Sequence, residues 1–168
     1  FTEDQILRAP SSNLMNKLAR SVLTLYSYDP DPETMTLENE LRLAMSLIAR
    51  TPIIVAHGYA AKRCYIDGGS LYLHRAMPHK GTAENFLAAS RDDRKYSDEE
   101  AKLLDLCSVL HAEHGGGNNS TFSTRVISSS YTDIFSAIAA GVGALKGPRH
   151  GGANIRCKEM VDVVAGDT

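Results

Sequence analysis

The sequence contains no tryptophan, only three cysteines and no long uncharged apolar segment. Cys64, Cys107 and Cys157 are widely spaced, odd in number and free of any CxxC pairing, which is typical of buried, unpaired thiols in a reducing compartment. No uncharged run approaches the roughly 18 residues that a membrane span needs, and the first residues lack a signal-peptide pattern. These absences predict a soluble, cytoplasmic protein.

An excess of charge of one sign is also missing, because 18 Lys and Arg face 20 Asp and Glu, for a net charge of -2. This balance predicts neither binding to nucleic acid nor attachment to a membrane surface. A chain of 168 residues fits one domain, which would cover residues 1–168 and bury about two thirds of its unfolded surface. Because the sequence starts without Met and stops at AGDT, we expect it to be a piece of a longer protein.

Strand-like alternation, Asn-Gly hairpin turns and internal repeats are absent, whereas apolar residues recur at helical spacing. The pattern therefore predicts an all-α fold, with a long loop from Asp67 to Gly81. Pro52 should kink or divide the helix that contains it. Helices are predicted to start at Ser11 or Ser12, Thr36, Thr82, the capping box of Ser97 and Glu100, Asn119 or Ser120, Thr132, and Gly151 or Gly152.

The apolar spacing also predicts which faces of these helices point inward. The predicted inward residues are Leu103, Cys107, Leu110 and His114 of one helix and Phe122, Val126 and Ile127 of the next. In the following helix, Gly141 and Gly143 each cost about 1 kcal/mol relative to Ala. Such glycines indicate close packing against another helix, possibly one from a second subunit, with a slightly weak surface helix as the alternative.

The segment from His111 to Asn154 carries the clearest chemical signal. His114 and His150 are each followed at once by glycines and then by an Asn, either Asn118 or Asn154. Glycine tolerates positive φ and lets a ligand approach the backbone closely, so two such breaks in a short segment predict the floor of a cavity. A neutral imidazole there can donate to a carbonyl or enolate oxygen, and a protonated one can hold a carboxylate.

The other histidines are candidates for metal binding and for catalysis. His111 and His114 lie three positions apart, whereas the zinc-protease helix needs four, and no third ligand has suitable spacing, so no metal is predicted. His57 lies in an apolar helical run and is predicted to be a core or interface residue. His74 and His79 fall in the long loop, where they could be solvent-exposed, and receive no role.

The segment LHAEHGGGNNSTFSTRVISSSYTDIFSAIAAGVGALKGPRHGGAN strongly resembles the citrate synthase family. His114 and His150 are 36 positions apart, like the two active-site histidines of the family's large domain. Weaker similarity extends upstream through TLENELRLAMSLIARTPIIVAHGYAAKR, so the resemblance covers most of the chain. It implies the greater part of the multi-helical large domain of a bacterial-type citrate synthase, without the smaller domain.

The resemblance implies that acetyl-CoA and oxaloacetate condense to citrate and free CoA, with acetyl-CoA as a co-substrate and no further cofactor. By the same resemblance, His150 is the catalytic donor to the acetyl-CoA carbonyl and His114 binds oxaloacetate. Ser120 supports His150, and Asn118 is a supporting residue of the same glycine-rich turn. A homodimer or higher homo-oligomer is also implied, with the helix from Thr132 to Lys146 as the subunit contact.

Departures from the family leave alternatives open. Gly115 replaces a common Glu, and Arg149 replaces a common Leu, either to serve a carboxylate or as a solvated charge. No segment matches the family's catalytic Asp, third His or carboxylate-binding Arg residues, so the chain alone is expected to be inactive. The alternatives are a 2-methylcitrate synthase that uses propionyl-CoA, a non-catalytic binding or interaction domain, and a metal-dependent hydrolase.

Overall fold

In the computed structural model, which describes residues 1–113 and 115–166, every regular element of those residues is helical. The predicted all-α class is therefore confirmed. A π-helical segment, Thr2–Leu7, comes first, and a 3-10 turn, Leu25–Tyr28, follows α1. The α-helices are α1 (Leu14–Thr24), α2 (Leu37–Tyr65), α3 (Thr82–Ser90), α4 (Asp98–His111), α5 (Asn119–Ser128), α6 (Ile134–Lys146) and α7 (Gly152–Gly166).

The hydrophobic core lies where α1, α2 and α6 meet beneath the first segment of the chain. Val22 of α1, Leu43 and Leu47 of α2, and Phe135 of α6 are buried there together with Ile6. Each such side chain stabilises the fold by about 1.5–3 kcal/mol relative to an exposed position. This core holds α6 in place. Since α5 packs mainly on α6, the position of α5 depends on the core as well.

Helix starts follow the predicted capping chemistry with one correction in this part of the chain. Thr36 caps α2 as predicted, and the Ser97 hydroxyl accepts the Glu100 amide at 3.1 Å while the Glu100 carboxylate accepts the Ser97 amide at 2.8 Å. Ser11 and Ser12 were wrong as caps of α1, because the Asn13 side chain accepts the Asn16 amide at 2.8 Å. Asn13 immediately precedes the first helical residue, so its oxygen is the one within reach.

Pro52 does not divide α2, which runs unbroken for 29 residues, so this prediction was wrong in its stronger form. Buried Leu47 and Ile54 pack into the core on either side of the proline and keep both halves in one helix. By length and composition α2 could also cross a membrane, with a mean hydropathy of 1.2 in its most apolar window. Core helices pass the same test, and α2 packs against α1 and α3.

The predicted loop between α2 and α3 is confirmed, and two histidines hold it in place. His57 Nε2 donates to the His74 carbonyl at 3.0 Å, and His74 Nε2 donates to the Asp92 carbonyl at 3.0 Å. His57 is 8% exposed, which confirms it as a core histidine, and His74 is half-buried while His79 is exposed. Both bonded rings act on backbone carbonyls and thus have structural roles.

The predicted inward faces of α4 and α5 were wrong. Leu110 is 67% exposed and Phe122 is 63% exposed, and the remaining predicted large apolar residues of both faces, Leu103, Val126 and Ile127, are exposed as well. The cause is that α4 buries only Ala101 within the described chain, next to α3, while α5 meets α6 through small side chains. Helical spacing thus identified an apolar stripe that the described chain does not cover.

The three cysteines are free, as predicted, but they are not buried. Cys64 and Cys107 are half-buried, and Cys157 is exposed on α7. The prediction of buried thiols was therefore wrong, most of all for Cys157, because α7 buries none of its residues in the described structure.

Candidate functional site

The site is built at the contact between α5 and the turn that follows α6. Ser120, in the first turn of α5, and His150, just before α7, lie 30 positions apart in the sequence. The Ser120 hydroxyl oxygen is 2.8 Å from His150 Nε2. Both residues are half-buried, so the pair is held by the fold and is still reachable from solvent.

Backbone hydrogen bonds hold His150 at the end of α6. The His150 amide donates to the Gly147 carbonyl and the Gly151 amide donates to the Leu145 carbonyl, each at 3.0 Å. A methyl group at Gly151 would collide with the Leu145 carbonyl oxygen, so the close return of the chain requires glycine there. The sequence prediction that His150 lies in a turn and that the glycines open the next helix is confirmed.

Asn118 is the N-cap of α5, whereas Asn119 or Ser120 had been predicted for that position. Its side-chain oxygen accepts the Thr121 amide at 2.9 Å. The correction has a local reason. Asn118 has an extended backbone and immediately precedes the helix, so its side chain can turn back to the free amide of Thr121, whereas Asn119 and Ser120 are already helical. Asn118 Nδ2 is buried without a hydrogen-bond partner among the described residues. Its predicted supporting role in the site stays a prediction.

His114, predicted to bind oxaloacetate, lies outside the described residues. The glycines that follow it are described, and Gly115 has a φ of +62°, in the region that favours glycine. The Arg125 guanidinium of α5 lies beside Gly116, 3.3 Å from where a Cβ would stand. The sequence prediction missed Arg125, and its spacing gives no signal, because a position five residues after Ser120 lies on a different face of α5. Arg149 is exposed.

His111, from the segment that could bind a metal, makes a different contact. His111 Nδ1 donates to the Cys107 carbonyl at 2.7 Å, a bond within its own helix. Within residues 1–113 and 115–166, no group of three His, Cys, Asp or Glu side chains is arranged to hold a metal ion. The arrangement that the described part of the site offers is therefore an imidazole and a hydroxyl, a pair suited to hydrogen bonding and proton transfer.

Comparisons with known proteins place this geometry in a family. The family model described as "Citrate synthase, C-terminal domain" matches residues 2–167. The chain is 37% identical to 2-methylcitrate synthase 1 of Corynebacterium glutamicum, over 83% of this chain and 36% of that protein. It is 36% identical to citrate synthase of Deinococcus radiodurans, over 89% of this chain and 38% of that protein.

A solved structure gives the same result. The crystal structure of citrate synthase from Pyrobaculum aerophilum superposes with a TM-score of 0.77 at 31% identity, covering 92% of this chain and 39% of that chain. The chain therefore spans little more than a third of the length of the relatives that it matches. With the family model matching nearly every residue and the fold in agreement, the chain belongs to the citrate synthase family.

Proposed function

We propose that the protein containing this chain is a citrate synthase, a transferase that condenses acetyl-CoA with oxaloacetate and water to give citrate and CoA. Family membership supports the reaction class. The single observation that carries the proposal is the hydrogen bond of 2.8 Å between Ser120 and His150 Nε2, because it orients the imidazole expected to act on the thioester.

His150 is proposed to stabilise the enol or enolate of acetyl-CoA. When the Ser120 hydroxyl donates to Nε2, the ring proton resides on Nδ1, which has no hydrogen-bond partner among the described residues. Nδ1–H then donates to the thioester carbonyl oxygen, where negative charge develops as the α proton leaves. A positioned donor of this kind lowers the barrier by about 3–4 kcal/mol.

The rest of the site is proposed from the family resemblance. His114 contacts oxaloacetate, and Asn118 supports the glycine-rich turn between His114 and Ser120. The catalytic base and the arginines that hold the substrate carboxylates are proposed to come from other parts of the protein, since no segment of this chain matches them. The chain alone would then bind part of a substrate without completing the reaction.

Citrate formation by the purified protein, measured with acetyl-CoA and oxaloacetate, tests the proposal. We expect His150→Ala to lower kcat by about 10²–10³-fold, the usual effect of removing a donor to a developing oxyanion. Ser120→Ala should lower kcat by about tenfold, because the ring stays but its preferred tautomer is lost. Ser123→Ala removes a hydroxyl from the next turn of α5 and serves as the matched control. Full activity of His150→Ala would overturn the assignment.

A 2-methylcitrate synthase is the second candidate, and the similarity to 2-methylcitrate synthase 1 supports it. The two reactions differ by one methylene in the acyl donor, a difference that a hydrophobic pocket discriminates by about 10–200-fold. Turnover of acetyl-CoA and propionyl-CoA should be compared on the same preparation. A higher kcat/KM for propionyl-CoA would replace our proposal with this one.

A non-catalytic binding domain would show no turnover with either thioester. Calorimetry with oxaloacetate then separates a retained ligand site from a bare scaffold. Oxaloacetate binding that disappears in His114→Ala would indicate a retained substrate site. No oxaloacetate binding by the unsubstituted protein would indicate an interaction domain.

We also propose that the protein is cytoplasmic and forms a homodimer or higher homo-oligomer through α6. Unpaired cysteines support the compartment. The family resemblance supports the assembly and its contact through α6. Sedimentation of the protein should give at least twice the mass of one chain, and a monomer would contradict the assembly. Cell fractionation tests the compartment.

A further inference from the structure

We infer that Gly141 is a positioning residue for His150, because its missing side chain lets α6 lie close enough to α5 for Ser120 to reach the ring. The kinetic consequence rests on the proposed function. The structural consequence, an altered Ser120–His150 hydrogen bond, does not depend on any reaction.

The two helices lie close together at Gly141, which is buried in α6. A Cβ built there would stand 3.5 Å from the Ser120 carbonyl oxygen and closer to the Thr124 hydroxyl than real Cβ atoms approach any atom. Ser120 and Thr124 are four positions apart on α5 and so share one face of that helix. The turn of α5 that α6 approaches through Gly141 therefore includes the residue that bonds His150.

The helix that contains Gly141 leads directly into the turn that contains His150. His150 and Gly151 are tied to the last turn of α6 through the Gly147 and Leu145 carbonyls. A movement of α6 away from α5 therefore also displaces the imidazole of His150 from Ser120. The bond between Ser120 and His150 is 2.8 Å long and would no longer be a hydrogen bond beyond about 3.5 Å, so a small separation is enough.

Gly143 provides a matched control on the same helix. A Cβ added at Gly143 meets nothing within 4 Å, whereas one at Gly141 meets α5. Both substitutions to Ala raise helix propensity by a similar amount. Any difference between them in the His150 environment thus reports the contact with α5 and not the change of residue type.

The experiment compares Gly141→Ala, Gly143→Ala and the double variant Gly141→Ala/Thr124→Ala in the whole protein. Ring ¹⁵N NMR of His150 reports the tautomer, and steady-state kinetics report kcat and KM. In Gly141→Ala we expect the ring signals to move toward those of Ser120→Ala, with kcat lower by about tenfold and KM changed less than about twofold. The double variant, which removes the Thr124 hydroxyl and methyl, should restore both readouts.

Identical ring signals in Gly141→Ala and Gly143→Ala would overturn the inference, because Thr124 would then simply turn aside. If Gly141→Ala does not fold, the double variant decides: recovery of the fold and of the wild-type His150 signals supports the inference, and failure to recover overturns it. Altered ring signals in a protein that makes no citrate would leave the positioning role standing and remove the proposed function.

Discussion

The layer formed by α1, α2 and α6 differs from the outer helices α4, α5 and α7 in what its apolar residues contact. Leu43 in the layer is fully buried, whereas Leu110 of α4 is 67% exposed, although both belong to apolar helical stripes. No residue of α5 or α7 is buried in the described structure. The difference shows that amphipathic spacing predicts a helix and an apolar face but not whether this part of the chain covers that face.

The largest effect expected from this comparison is on stability. Leu43→Ala should lower the free energy of unfolding by about 2–5 kcal/mol, because it opens a cavity in the core. Leu110→Ala, its matched control on α4, should change it by less than about 0.5 kcal/mol. Urea denaturation followed by circular dichroism measures both values in the purified 168-residue chain. A large loss for Leu110→Ala would mean that α4 is covered in solution.

A smaller effect is expected at the start of α5, where a local bond compensates for poor burial. Asn118→Ala should cost about 1 kcal/mol, because the Thr121 amide loses its acceptor. Asn119→Ala changes the adjacent exposed residue and should have little effect. Amide hydrogen exchange along α5 would report the loss locally. Equal effects of both substitutions would contradict the assignment of Asn118 as the N-cap of α5.

The smallest effect is the acid response of α4. Hydrogen bonds from the Arg91 guanidinium and the Ser97 backbone amide lower the pKa of Glu100 from 4.5 to about 2. Since the pKa is depressed in the folded state, this stabilisation is present above pH 4.5 and is lost as the pH falls toward about 2. Thermal unfolding between these pH values should lose part of its pH dependence in Glu100→Gln and retain it in Glu99→Gln. An unchanged dependence of thermal unfolding on pH in Glu100→Gln would contradict the stabilising role of the Glu100 carboxylate.

What the sequence predicted well is local. The start of α2 at Thr36 and the capping box of Ser97 and Glu100 depend on residues within three positions, and both were predicted correctly. The unbroken path of α2 through Pro52 was not predicted, because packing on both sides of the proline decides it. The predicted burial of the α4 and α5 faces was wrong for the same reason, because packing decides which faces are covered.

The candidate site shows the same limit. The family resemblance paired Ser120 with His150, and the structure places their side chains in hydrogen-bond contact. Spacing alone does not reveal the approach of Arg125 to Gly116 or of α5 to Gly141, because each requires the relative position of distant segments. Composition did not separate Gly141 from Gly143 either, although only Gly141 meets α5 in the described structure.

The most direct test of the proposed chemistry is the tautomer of the His150 ring, read by ¹⁵N NMR in the protein. We expect the ring proton on Nδ1, with Nε2 accepting the Ser120 hydroxyl, and a shift of the proton toward Nε2 in Ser120→Ala. A ring protonated at Nε2 in the unchanged protein, with no response to Ser120→Ala, would contradict the proposed chemistry.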